Sequence, residues 1–175
     1  MEITERFLTP NTYSRPQYAL NTVDAFVVHW VENPRTTAMF NRNWWELLKN
    51  GMKDSKGNYI YGSAHYAIDP ETIIQCIPLN ETARHIETLG KYTNMNTIGI
   101  ELCHIDWEGR FDPRTLDKAV DLLKFLCDRF KKDPKDDIIR HFDASGKLCP
   151  KWFIDHPEDF ELFKGRIYGL STTGY

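Results

Sequence analysis

The chain opens on a polar, irregular stretch and turns abruptly apolar at Ala25–Trp30 (AFVVHW), where His29 is the one strongly polar position. A short run apolar on both alternating sets of positions predicts a strand covered on both faces. Ala38–Lys49 reads as a helix. Ser63–Asp69 and Thr72–Pro78 are β-rich runs flanking Pro70-Glu71, which predicts a hairpin. In Thr97–Cys103 the side chains alternate: Ile98, Ile100 and Leu102 share one face, and Thr97, Gly99, Glu101 and Cys103 the other. Asp112 followed by Pro113 marks the start of a helix. Leu116, Val120, Leu123, Cys127 and Phe130 then fall at three- and four-residue steps, the apolar stripe of an amphipathic helix that stops before Pro134. Ile138–Phe142 predicts another strand and Pro157–Lys164 a last helix. Strands and helices alternate, so the expected class is α/β, a mixed central β-sheet flanked by helices.

A length of 175 residues fits one hydrophobic core. The expected division is one folded domain over 1–168, with 169–175 as a tail or the start of a linker to a further module. Net charge is −3 and is spread along the chain, which sets aside a nucleic-acid partner, since that needs a concentrated basic surface. No run approaches the roughly 20 apolar residues of a membrane span. The start, MEITERFLTPNTYSR, has no apolar h-region, so the expectation is synthesis in the cytoplasm without a signal peptide and action elsewhere only after release. The four cysteines form no C-x-x-C pair, which excludes a zinc ribbon. Cys76, Cys103 and Cys127 sit in apolar runs and read as small buried hydrophobes. Cys149 differs, lying between Gly146-Lys147 and Pro150.

Imidazole and thiolate together are good zinc ligands, and three protein ligands with one open position is the pattern of catalytic zinc. His141 closes the run IIRH, and Cys149 follows in the loop that it feeds, so the two can fold back onto one point. His29 within VVHW, taken alone, reads as a satisfied core histidine before it reads as a ligand. Glu101 is a mid-strand carboxylate among apolar residues, a costly placement without a partner. A cation, a bound water or a structural arginine each supplies one.

The segments VVHW, SAHYAIDPETIIQCIPLNETARHI, NTIGIEL and HFDASGKLCP, in that order, resemble the type 2 N-acetylmuramoyl-L-alanine amidases. That family includes phage endolysins and autolysins and is related to the peptidoglycan recognition proteins. The resemblance spans about Asp24 to Phe163. It implies zinc (Zn2+) held by His29, His141 and Cys149, a catalytic Glu101, and Lys147 beside the developing oxyanion. It places His65, His85 and Trp30 along the substrate groove. The implied reaction is hydrolysis of the amide between N-acetylmuramic acid and L-alanine in peptidoglycan, as a lysin of Gram-positive walls. A non-catalytic peptidoglycan-binding module and a cytoplasmic muropeptide-recycling amidase are the alternatives. Some members carry a catalytic tyrosine just before the position matched by His65. Ala64 stands there, so the acid–base work falls to Glu101.

Overall fold

The computed structural model describes residues 1–87 and 90–169. Apart from Gly169, the expected tail lies outside the described residues. Six strands make one sheet: β1 (Thr4–Glu5), β2 (Ala25–Trp30), β3 (Tyr66–Ile68), β4 (Ile73–Gln75), β5 (Thr97–Leu102) and β6 (Ile138–Arg140). Their spatial order is β1-β4-β3-β5-β2-β6. Only β3 and β4 run antiparallel, as the hairpin at Pro70-Glu71 requires; the other pairings are parallel. The helices are α1 (Ala38–Leu47), α2 (Pro113–Phe130), α3 (His141–Ser145), α4 (Lys151–Asp155) and α5 (Pro157–Ile167). This is the mixed sheet flanked by helices that the alternation predicts.

β2 is buried throughout, and β5 is buried except at half-buried Glu101, as their apolar patterns demand. The two faces are covered unequally. Phe26, Val28, Ile98, Ile100 and Leu102 pack against α2, α4 and α5 in the main core. The buried stripe of α2 is wider than the five predicted positions and adds Thr115, Ala119, Leu122 and Leu126. Asp112 caps this helix by accepting from the Arg114 N–H at 2.9 Å. On the opposite face, α1 covers the β3–β4 end with Trp45, Leu48, Ala67 and Ile74, while Ala25, Val27, Ile86 and Ile139 form a separate small cluster. His29 and Glu101 stand on this second face.

Asp69 joins the hairpin to α1. Its buried carboxylate accepts N–H bonds from Ala38 (2.8 Å), Glu71 (2.8 Å) and Thr72 (2.7 Å). Ala38 opens α1, where the helix dipole also favours a negative charge. Asp69→Ala leaves three amides without their acceptor and is expected to cost about 2–4 kcal/mol. Chemical denaturation measures this, and a loss below about 1 kcal/mol would refute the assigned role.

Several predicted boundaries shift by a few residues, and one changes the element type. The strand near 138 ends at Arg140, and His141 begins α3 instead of closing the strand. The reason is local: Asp143 accepts from the Arg140 N–H at 2.9 Å and from its guanidinium, a box that starts a helix at once. The strand β1 and the short helix α4 carry too little periodicity to be read from the sequence.

Candidate metal centre and active site

Parallel pairing sets His29 of β2 directly beside Glu101 of β5. Both lie near the carboxyl ends of their strands, where open α/β sheets bind ligands. β6 pairs with the other edge of β2 and delivers His141 immediately after Arg140. The chain returns through Gly146, whose φ of +78° ends α3 in the left-handed region suited to glycine. The Phe142 N–H then donates to the Cys149 carbonyl at 2.9 Å, closing the loop and turning the thiol back toward His141. One ligand atom from each of His29, His141 and Cys149 lies within 4.8 Å of the other two. The cysteine Sγ stands 3.6 Å from His29 Nδ1.

A chain of hydrogen bonds fixes which nitrogen His29 presents. The Thr97 hydroxyl donates its single hydrogen to the Thr93 carbonyl at 2.6 Å, so it accepts from His85 Nε2 at 3.2 Å. His85 Nδ1 is therefore unprotonated and accepts from His29 Nε2 at 3.0 Å. That leaves the lone pair of His29 Nδ1 facing Cys149. Such hydrogen-bonded support is how metal-binding imidazoles are oriented. Among the described residues, His141 Nδ1 is buried without a hydrogen-bond partner. Burial holds His29 and His85 well below the ordinary histidine range and lowers His141 to about 4. All three are neutral near pH 7, the form that binds a metal. Burial pushes the Cys149 thiol well up, so the sulfur needs a cation to ionise. Two neutral imidazoles and one thiol, with the orphaned nitrogen among them, fit zinc in charge, softness and number.

Glu101 lines the same cavity, of about 690 Å³, with Trp30, Glu32, Trp45, His85 and Lys147. Its Oε2 is buried and unpartnered. Burial raises its pKa to about 8, against the pull of Lys147. Lys147 reaches over the cavity and pairs with Glu32 at 3.4 Å.

The proposed groove residues separate. His85 lines the cavity, yet its ring nitrogens are engaged with His29 and Thr97. His65 does not reach the groove. It is 0 % exposed, takes the Gly99 N–H on Nδ1 at 3.0 Å and donates from Nε2 to the Glu81 carbonyl at 3.0 Å. That burial corrects its expected substrate contact. Trp30 contributes an edge to the cavity wall but is 7 % exposed and stacks on His104 at 4.6 Å. Of the tryptophan pair in α1, buried Trp45 faces the cavity, and Trp44 is exposed. Thr97 and Glu32 are supporting residues that sequence reasoning does not single out.

Gly99 admits His85 to the sheet. A Cβ there would stand 2.5 Å from His85 Cγ and 2.6 Å from its Nδ1. Gly99→Ala must push the ring aside and break its bond to His29. The expected cost is about 1–3 kcal/mol together with weakened metal retention. Urea unfolding and metal analysis of the purified variant check both, and unchanged values in the two would count against the arrangement.

Residues 19–152 match the family described as N-acetylmuramoyl-L-alanine amidase. The chain belongs to this amidase family. It is 30% identical over 180 residues to the N-acetylmuramoyl-L-alanine amidase BlyA of Bacillus subtilis, covering 94% of this chain and 46% of that protein. It is 28% identical over 180 residues to a probable N-acetylmuramoyl-L-alanine amidase of Bacillus licheniformis, covering 97% of this chain and 48% of that protein. The chain thus spans about half the length of these amidases. Among solved structures, a mutant endolysin from Bacillus subtilis superposes with a TM-score of 0.76 at 25% identity, covering 95% of this chain and 98% of that one. The structure of PlyL, at 22% identity, superposes with a TM-score of 0.78, covering 98% and 100%, and shares the fold.

Proposed function

We propose that this amidase-family chain hydrolyses the amide joining N-acetylmuramic acid to L-alanine in peptidoglycan, as a zinc-dependent lysin of Gram-positive walls. The observation that carries the reading is the convergence of His29, His141 and Cys149 in a cavity that also holds Glu101. Zinc held by these three side chains supplies Lewis acidity for polarising a carbonyl and acidifying a water.

The protein's own groups divide the remaining work. Glu101 takes a proton from the attacking water and passes it to the leaving nitrogen as the carbon–nitrogen bond breaks. The products are the free lactyl carboxylic acid and the L-alanine amine. A cation near Glu101 opposes the burial that raises its pKa and returns it toward the base form. Lys147 offers its ammonium to the carbonyl oxygen as charge develops there. The Thr93–Thr97–His85 chain holds His29 in one tautomer throughout.

Incubation with purified walls tests the proposal. New L-alanine amino termini are expected, lost with chelator and restored by zinc. Wall binding without new amino termini under zinc would instead support the non-catalytic module, a reading that the retained Cys149 and Glu101 disfavour.

A further inference from the structure

Arg84 stands one residue before His85, on the wall of the cavity that holds Glu101 and the His29–His141–Cys149 cluster. Its main chain is pinned by Ser63: the Arg84 N–H donates to Ser63 Oγ at 3.0 Å, and the Ser63 N–H donates to the Arg84 carbonyl at 2.9 Å. Its guanidinium lies over the Tyr61 ring at 5.0 Å and beside Tyr18 at 6.0 Å. Among the described residues it makes no ion pair and no hydrogen bond, and its Nε is buried and unpartnered. Arg15, Arg42, Arg110, Arg114, Arg140 and Arg166 each hold a carboxylate. Arg84 has a rigid fork of donors suited to a carboxylate and, like Arg6, Arg35 and Arg129, none to hold among the described residues; of these four it alone lines the cavity of the cluster.

The groove does not end there. A second cavity of about 620 Å³, lined by Pro16, Tyr18, Ile86 and Met95, shares Arg84 and Glu87 with the first. A substrate chain leaving the metal cluster in this direction passes the guanidinium and then meets a mainly apolar pocket.

We propose that Arg84 is a carboxylate subsite for the stem peptide, holding the free carboxylate of the acidic residue that follows L-alanine. The inference rests on the amidase reading above. Charge fixes the direction. The only carboxyl of the muramic acid unit is consumed in the scissile amide, so the glycan side brings no anion to this cation. The peptide side does: its second residue, a glutamate linked through its side chain, carries an α-carboxyl that is free in some walls and a carboxamide in others. Arg84 therefore makes the enzyme prefer the free acid, and the apolar pocket beyond receives the next residue.

The test compares two soluble muropeptides that differ only in that group, carboxylate against carboxamide, with zinc-loaded enzyme. Wild type is expected to favour the carboxylate by about 10-fold in kcat/KM, expressed in KM. In Arg84→Gln the ratio falls to about 1, and Arg84→Lys keeps part of it, since a point charge lacks the fork. A wild-type ratio near 1, or an undiminished ratio in Arg84→Gln, overturns the proposal. Failure of the amidase reading looks different, because neither muropeptide then yields a free L-alanine amine. In that event calorimetry of the same pair on metal-free protein decides the subsite: tighter carboxylate binding, lost in Arg84→Gln, upholds it, and equal affinities reject it.

Discussion

Glu101→Ala is expected to reduce wall hydrolysis by about 10²–10⁴-fold, the usual worth of a positioned general acid–base, while zinc content stays at the wild-type level. The two readouts separate because Glu101 shares the cavity with the metal cluster without belonging to it. Its Oε2 is buried with no partner among the described residues, so truncating it breaks no hydrogen bond described at that oxygen. The metal-free variant should melt no lower than metal-free wild type, because a desolvated carboxylate opposes folding. The pH dependence carries the same sign. Glu101 in the folded protein keeps its proton up to about 8, above its ordinary value of 4.5. The unfolded chain releases it earlier, so folding of metal-free wild type weakens as pH rises from about 4.5 through about 8. That contribution vanishes in Glu101→Ala. Wall turbidity, atomic absorption and thermal melts across this window measure the set, and a variant as active as wild type would end the assignment.

Cys149→Ser is expected to abolish metal retention after dialysis, with loss of activity and of metal-induced stabilisation. A hydroxyl replaces the one ligand atom that becomes anionic, and zinc prefers thiolate to alcohol. Burial holds the wild-type thiol protonated without a cation, so zinc uptake must release a proton. Zinc affinity is thus expected to fall as pH drops. Calorimetric titration in two buffers of different ionisation enthalpy counts the proton in wild type. Its presence in Cys149→Ser, or full zinc occupancy of that variant, would exclude Cys149 as a ligand. Serine keeps the size of the side chain, so the loss is one of ligand chemistry and not of packing.

The elements of the sheet were legible where pattern and burial coincide. AFVVHW has no polar face to expose and reads as a central strand, TIGIEL alternates and reads as a strand, and the two are neighbours in the structure. The pairing of His29 with Glu101 was not readable from the sequence, because register between strands 72 residues apart depends on how the whole sheet assembles. The His141–Cys149 loop was legible in outline from Asp143, Gly146 and Lys147. Its first turn was misread, because the bond from Arg140 to Asp143 outweighs the strand pattern of IIRHF. His65 shows the limit of motif reasoning: a histidine beside the site is consumed in holding Gly99 and Glu81 together. The role of Gly99 emerges only once His85 is seen to occupy the space its missing side chain leaves.

Ligand atoms that touch across 120 positions of sequence also impose an order of events. The strand bearing His29 lacks its two partner ligands until the segment from His141 to Cys149 has docked beside it. On the reading proposed above, zinc would therefore be a late arrival: it would clasp a sheet already assembled, and it would reward only those copies in which β2 and the His141–Cys149 segment have met.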